Sequence, residues 1–316
     1  MPESRASHLV AVISLAATAA IWGGGFPATK YCLQAGLSVG ALLTIRFAIG
    51  AAGLGLLMLL LRVPIRRRDA LDGLWLGLVL ATLFWLQTDG LRFTTTSKSG
   101  FITGLYVIFT PMVALLAGDR LRPSHGAGAL VALLGLALLV REPGAAWGGW
   151  NRGDSETFLA AVLCGFHIVM TAHFSRRSSG WVLAFMQVAV TGLISLAITL
   201  ALPAPHGFQG AGAALSRAGT WVSLGFMGLL ATTLAFYVQS TMQARLGATE
   251  SAIIFSLEPV WTAAIAVSGV VPGIREHMGP AQLAGGALIL AATFVAELGP
   301  RLLKRLQRPE PEEAIG

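Results

Sequence analysis

The stretches GFITGLYVIFTPMVALLAG (residues 100–118) and SAIIFSLEPVWTAAIAVSG (residues 251–269) are two apolar segments of the same kind, and they align on Pro111 and Pro259. Each runs on to an acidic residue, Asp119 and Glu276, and then to a Gly/Ala/Leu-rich run, GALVALLGLALLV (128–140) and GGALILAATFV (285–295). Upstream, LATLFWLQ (80–87) matches ATTLAFYVQ (231–239), and CGFHIV (164–169) takes the place of WGGGFP (22–27). The match is imperfect: 17 positions separate Pro259 from Glu276, against 8 from Pro111 to Asp119. The chain carries an internal repeat, and the repeat is made of apolar spans.

Composition points the same way. Of the 316 residues 55% are hydrophobic and 12% charged, with mean hydropathy +0.72, too few charges to clothe a soluble domain of this size. About 20 mostly apolar residues cross the hydrocarbon core as a helix. Ten such spans can be drawn, at 8–30, 37–61, 70–91, 94–117, 124–141, 155–175, 179–201, 219–243, 248–271 and 279–298. The first follows a short MPESR start with no small-residue cleavage site before a polar domain, so it reads as a span rather than a signal peptide. Placing both termini in the cytoplasm puts 14 Lys/Arg on that side and 6 outside, the sense of the positive-inside rule. The net charge of +7 lies in these short loops, which argues against a nucleic-acid partner. Cys32 and Cys164 stand far apart and outside any metal-binding spacing.

Two copies of five spans have a topological consequence. An odd number of crossings inserts the second copy upside down relative to the first. The expected fold is therefore an all-α membrane protein of ten transmembrane helices in two inverted five-helix repeats, 1–142 and 153–298, with a cytoplasmic tail at 299–316. Inverted repeats of this kind are a secondary-transporter signature, two packings about one central site giving alternating access.

WGGGFPATKY (22–31), ALLTIRFAIGA (41–51), TTTSKSGFITGLYVIFTP (94–111), GDSETFLAAVLCGFHIVM (153–170) and SAIIFSLEPVW (251–261) together resemble the EamA-type members of the drug/metabolite transporter superfamily, over nearly the whole chain. The resemblance implies a multi-pass protein of the cell (inner) membrane. It implies export of small metabolites, amino acids or drug-like compounds, through a central cavity, with no cofactor. Asp119 replaces the glutamate usual in the family's acidic loop, and GIREHMG replaces a commoner Glu-Arg-Leu pattern.

Polar groups inside hydrocarbon point at a cavity or at each other. Ser99, Thr103, Tyr106 and Thr110 share one helical face at i, i+4, i+7, i+11, and Ser251, Phe255, Glu258 and Thr262 repeat that spacing. In the proline alignment Thr110 falls opposite Glu258. Thr233, Tyr237 and Ser240 form another stripe, and His167 with Thr171 a shorter one. Such stripes equally suit helix packing, where Ser and Thr bond a neighbouring carbonyl. Trp22, Trp85, Tyr106 and Trp261 are candidate walls, Phe26 is expected near the pathway, and Gln87, Gln187 and Gln239 have amides to offer substrate or backbone.

Two charges fall near mid-membrane. Counting about 1.5 Å per residue, Glu258 lies about 15 Å from the cytoplasmic end of its helix and Arg46 about 13 Å from the outer end of its own. Each costs about 2.5–3.5 kcal/mol on insertion scales, so an Arg46–Glu258 pair is expected, as a lock between halves or with Glu258 in proton coupling. Asp89 is expected to face water at the outer end of the third span. The apolar run AIWGGGFPATK (20–30) carries its own break, and Pro27 with Pro111 and Pro259 are the expected hinges. A lipid flippase or nucleotide-sugar carrier is the nearest alternative, but it would favour more cavity cations than Arg46 and Lys98. A membrane-embedded enzyme is less favoured, because no catalytic constellation or phosphate-cradling loop is present.

Overall fold

The computed structural model describes residues 5–116, 118, 123–139, 149–201 and 207–292. All regular structure among them is helical. Helix α1 (Arg5–Gln34) is followed by α2 (Val39–Leu60), α3 (Arg67–Gly90), α4 (Thr96–Thr103), α5 (Tyr106–Leu116), α6 (Pro123–Leu139), α7 (Arg152–Phe174) and α8 (Gly180–Ala201). After α9 (Ala211–Leu215) and α10 (Ala218–Gly225), a π-helical stretch at Phe226–Leu234 leads into α11 (Ala235–Leu246), α12 (Ala248–Phe255) and α13 (Glu258–Ser268). A last apolar helix, α14, covers Pro280–Ala292. Among the described residues, eight helical runs are long and apolar enough to span a membrane. The expected fifth and tenth spans are the two shorter ones, Ala127–Leu139 and Pro280–Ala292. Asp119, Arg141 and the tail 299–316 lie outside the described residues.

Helix α8 packs on α2 and α3, α7 on α3 and α5, and α1 on α11, α13 and the π-helical stretch. One apolar core gathers α2, α3 and α8 around Phe47, Leu54 and Phe84. A second gathers α5, α6, α12 and α14 around Tyr106, Leu136, Phe255 and Ile289. Leucines and valines on the outer faces stay exposed, among them Leu59, Leu116, Leu193 and Val222, as helices facing lipid require.

The repeat takes a definite form here. Helices α4 and α12 are each 8 residues, α5 and α13 each 11, and each pair is separated by two residues, Gly104–Leu105 and Ser256–Leu257. At both breaks the backbone tightens to i→i−3 bonds, Leu105 N–H to Ile102 O and Leu257 N–H to Ile254 O. This register corrects the proline alignment by four residues. It matches Ser99 with Ser251, Tyr106 with Glu258 and Thr110 with Thr262, as the polar stripes do, whereas Pro111 lies within α5 and Pro259 is the second residue of α13. The breaks therefore precede both prolines. Pro27 also sits inside an unbroken α1.

The glycines of the WGGGFP segment serve packing. A Cβ on Gly23 would stand 2.6 Å from Trp261 Cβ and 2.9 Å from Glu258 O, so α1 crosses α13 at backbone distance. A Cβ on Gly24 would meet Phe226, while Gly25 has nothing within 4 Å. Gly135 approaches the Gly285 carbonyl in the same manner, joining α6 to α14.

One end of the bundle, where α3 meets α4 and α7 begins, is tied by polar contacts. Lys98 Nζ sits 2.7 Å from Asp154 Oδ2 and also bonds Gly149 O, and Thr94 Oγ1 donates to Asp154 Oδ1 at 2.6 Å. Asn151 and Asp154 form a reciprocal cap at the start of α7. Asp89 does not face water as expected; it is buried and held by Arg92 at 2.8 Å and Arg152 at 2.6 Å. Glu276 accepts from Thr96 N–H and Ser97 N–H at the N-terminus of α4, so an acid on the loop after α13 complements that helix's dipole. Lys30 Nζ bonds the carbonyls of Leu91 (2.7 Å) and Thr94 (3.0 Å). At the opposite end Arg177 grips Asp72 with two nitrogens, at 2.9 and 2.5 Å, and Ser178 adds a third bond to the same carboxylate. Arg177 lies between spans, and the Asp72 carboxylate raises its pKa further above the ordinary guanidinium value.

Candidate functional site

A cavity lies among α1, α2, α3, α4, α5, α7, α11, α12 and α13, bounded by the C-terminal halves of α1 and α3. Its wall is aromatic: Trp22 faces Phe236 at 5.5 Å and Phe255 at 5.1 Å between ring centroids, and Phe84 faces Phe236 at 6.2 Å. Trp22 is fixed by its indole N–H, which donates to Ala231 O at 3.0 Å inside the π-helical stretch. The wider helix there directs carbonyls away from the regular ladder, which makes one available to a neighbouring helix.

Both buried charges reach this cavity, and they do not meet. Among the described residues Arg46 and Glu258 form no ion pair within 4.0 Å, which corrects the expected pair. Arg46 Nε donates to Thr232 Oγ1 at 3.1 Å, and the guanidinium carbon lies 4.5 Å from the centroid of Phe84. A hydroxyl and an aromatic face replace the carboxylate as company for the cation. Glu258 accepts a bond from Tyr106 Oη at 3.3 Å, its one side-chain hydrogen-bond partner among the described residues. Tyr106 and Glu258 are the first residues after their respective breaks, so two-residue interruptions in α4–α5 and α12–α13 bring phenol and acid together in the interior.

Of the expected pathway residues, Trp22, Phe26, Gln87, Thr103, Tyr106, His167 and Glu258 line the cavity. Gln87 Nε2 donates to Thr103 Oγ1 at 3.2 Å. His167 Nε2 lies 2.7 Å from Gln187 Oε1, and Gln187 Nε2 reaches Ser240 Oγ at 3.1 Å, so Ser240 connects to the site through a buried chain. The others stand elsewhere. Thr110 bonds the Tyr106 carbonyl at 2.7 Å, the packing role open to any helical Thr. Tyr237 stacks on Trp181 at 3.8 Å, and Trp261 is 46% exposed on the outer face of α13. Thr171 is buried and its hydroxyl has no partner. Lys98 belongs to the Asp154 contact.

Phe84, Phe236, Thr29 and Cys164 also line the cavity and were not read from the sequence. For the two phenylalanines the sequence carries the signal, since Phe84 and Phe236 hold the same place in the matching stretches LATLFWLQ and ATTLAFYVQ. Gln239 is the polar lining residue with the least company. It is 1% exposed, and among the described residues its Oε1 has no hydrogen-bond partner.

The EamA-like transporter family model matches this chain twice, over residues 9–141 and 151–297. The chain belongs to that family. An uncharacterized transporter of Archaeoglobus fulgidus is 30% identical to this EamA-like protein over 293 residues, covering 92% of this chain and 87% of the relative. A solved crystal structure 22% identical in sequence superposes with a TM-score of 0.66, over 96% of this chain and 100% of that one, and shows the same fold. This EamA-like chain is thus a multi-pass membrane transporter, with a small-molecule substrate and a lipid environment.

Proposed function

We propose that the chain is a secondary exporter of small neutral or zwitterionic metabolites, amino acids or drug-like compounds, across the cell (inner) membrane. In this reading the ten apolar helices are two inverted five-helix repeats, 1–142 and 153–298, that rock about the central cavity with both termini and the 299–316 tail in the cytoplasm. The observation that carries it is the cavity itself. It is buried and aromatic-walled, holds one cation and one acid that form no contact ion pair, and is built at two matching helix breaks. Charges left apart in the interior suit a ligand that carries both signs or complementary dipoles, because such a ligand supplies what each lacks. The double family match and the equal lengths of the broken helices support the repeat.

A flippase or nucleotide-sugar carrier fits less well, since Arg46 is the one Lys or Arg among the cavity's lining residues. The test is efflux from proteoliposomes loaded with mixed amino acids and small metabolites, followed by mass spectrometry with and without a pH gradient. Selective release of a neutral or zwitterionic class supports the reading. Release of none of them by folded protein, together with scrambling of a labelled phospholipid, rejects it.

A further inference from the structure

Two hydrogen-bond acceptors stand in the cavity with capacity to spare. Glu258 has one donor, Tyr106 Oη, for two carboxylate oxygens, and Gln239 Oε1 has none. Both side chains are more than nine-tenths buried. The other cavity amide, Gln87, is already engaged with Thr103, and His167 is engaged with Gln187. Among the described residues Gln239, which lines the same cavity as Trp22, Phe236 and Phe255, has a side-chain oxygen with no hydrogen-bond partner. A buried acceptor left unpaired is costly, so the site favours a ligand that brings N–H or O–H donors to it. The aromatic faces accept a cation of either kind, primary or quaternary, and do not discriminate between them. Discrimination must come from the acceptors.

We propose that Gln239 is a specificity-determining residue of this cavity. Together with Glu258 it selects ligands whose positive end is a primary ammonium, with N–H donors, over ligands of the same shape and charge whose nitrogen is fully methylated. The inference rests on the zwitterion-binding reading above and deepens it. Arg46, turned toward the same cavity from Phe84 and Thr232, takes the ligand's acidic end. A trimethylammonium nitrogen has no hydrogen to give, so its entry leaves the Gln239 oxygen, and the Glu258 oxygen that Tyr106 does not bond, without a donor. Sites built to hydrogen-bond a group reject analogues lacking it far more strongly than apolar pockets reject a change in size.

The experiment compares two probes, L-leucine and its N,N,N-trimethyl betaine, binding to the detergent-purified full chain by calorimetry. The expected result is preference for the amine by about tenfold or more in the wild-type protein. Gln239→Leu is expected to reduce that preference by about tenfold, mainly by weakening the amine, with betaine affinity held or improved. Gln239→Glu keeps an acceptor and is expected to keep the preference. If Gln239→Leu does not yield folded protein, Gln239→Glu carries the test, and collapse of the preference in that variant overturns the assignment. Equal binding of the two probes to wild type, binding of neither, or an unchanged ratio in folded Gln239→Leu also overturns it. The readout is binding, so a failure of recognition is separable from a failure of transport, which the proteoliposome efflux assay reports.

Discussion

Gly23 and Gly25 lie two residues apart in α1 and face opposite circumstances, so alanine at each is a matched test of how α1 meets α13. At Gly25 a Cβ has nothing within 4 Å and projects toward the cavity that this residue lines. The change should contribute only the helix preference of Ala over Gly, about 0.5–1 kcal/mol of stabilisation. At Gly23 the new Cβ would lie 2.6 Å from Trp261 Cβ, 2.9 Å from Glu258 O and 3.0 Å from Thr262 N. Comfortable separations are about 3.5–4.0 Å, and two of these neighbours are backbone, so α13 as a whole must retreat by about 1 Å. Overpacking of that kind costs about 1–3 kcal/mol, which set against the propensity gain leaves Gly23→Ala destabilised by up to about 2.5 kcal/mol. Because Glu258 opens α13, the same retreat draws its carboxylate from Tyr106. Thermal unfolding in detergent should place Gly23→Ala below wild type and Gly25→Ala at or above it, and proteoliposome transport should fall in Gly23→Ala. Equal melting temperatures for the two variants, or a lower one for Gly25→Ala, would refute this account of the α1–α13 crossing.

Three further outcomes are expected. Lys98→Met strands the buried Asp154 carboxylate and should destabilise the protein by about 3–5 kcal/mol; adding Asp154→Asn, which retains the α7 cap, should restore a large part of the lost melting temperature. Glu258→Gln removes the one carboxylate among the cavity's lining residues, so if Glu258 couples protons, the variant's efflux should lose its dependence on a pH gradient while the protein stays folded; retained dependence rejects coupling through Glu258. Cys164 lines the cavity whereas Cys32 is fully buried against α2 and α10, so a small maleimide should modify Cys164 first, as read by intact mass, and bound substrate should slow it. Faster modification of Cys32 would contradict the cavity's position.

Most of the architecture could be read from hydropathy, because a bilayer demands long apolar runs and the internal match lay in the open. The register of that match could not be read from prolines. Proline marks a missing donor, but the breaks at Gly104–Leu105 and Ser256–Leu257 are made by local tightening before the prolines, and the spacing of Ser99, Tyr106 and Thr110 against Ser251, Glu258 and Thr262 held the correct offset. The expected Arg46–Glu258 pair failed for a similar reason. Depth along a helix is legible from sequence, but direction around it depends on neighbours, and here Phe84 and Thr232 supply the cation's company. Trp261 and Tyr237 went astray because an aromatic residue suits a cavity wall, a lipid face or a stacked helix contact equally well.

The equal lengths of the two broken helices have a consequence for descent by duplication. A chain that writes the same interrupted helix twice and brings the two interruptions together sets the first residue after each one face to face, as Tyr106 and Glu258 are. Were the copies still identical, that meeting point would hold two phenols or two acids, and two ionised acids at contact distance repel. A phenol at one position and an acid at the other lets the matched frame carry a single acid where the two breaks meet. The symmetry of the frame and the asymmetry of its chemistry depend on each other.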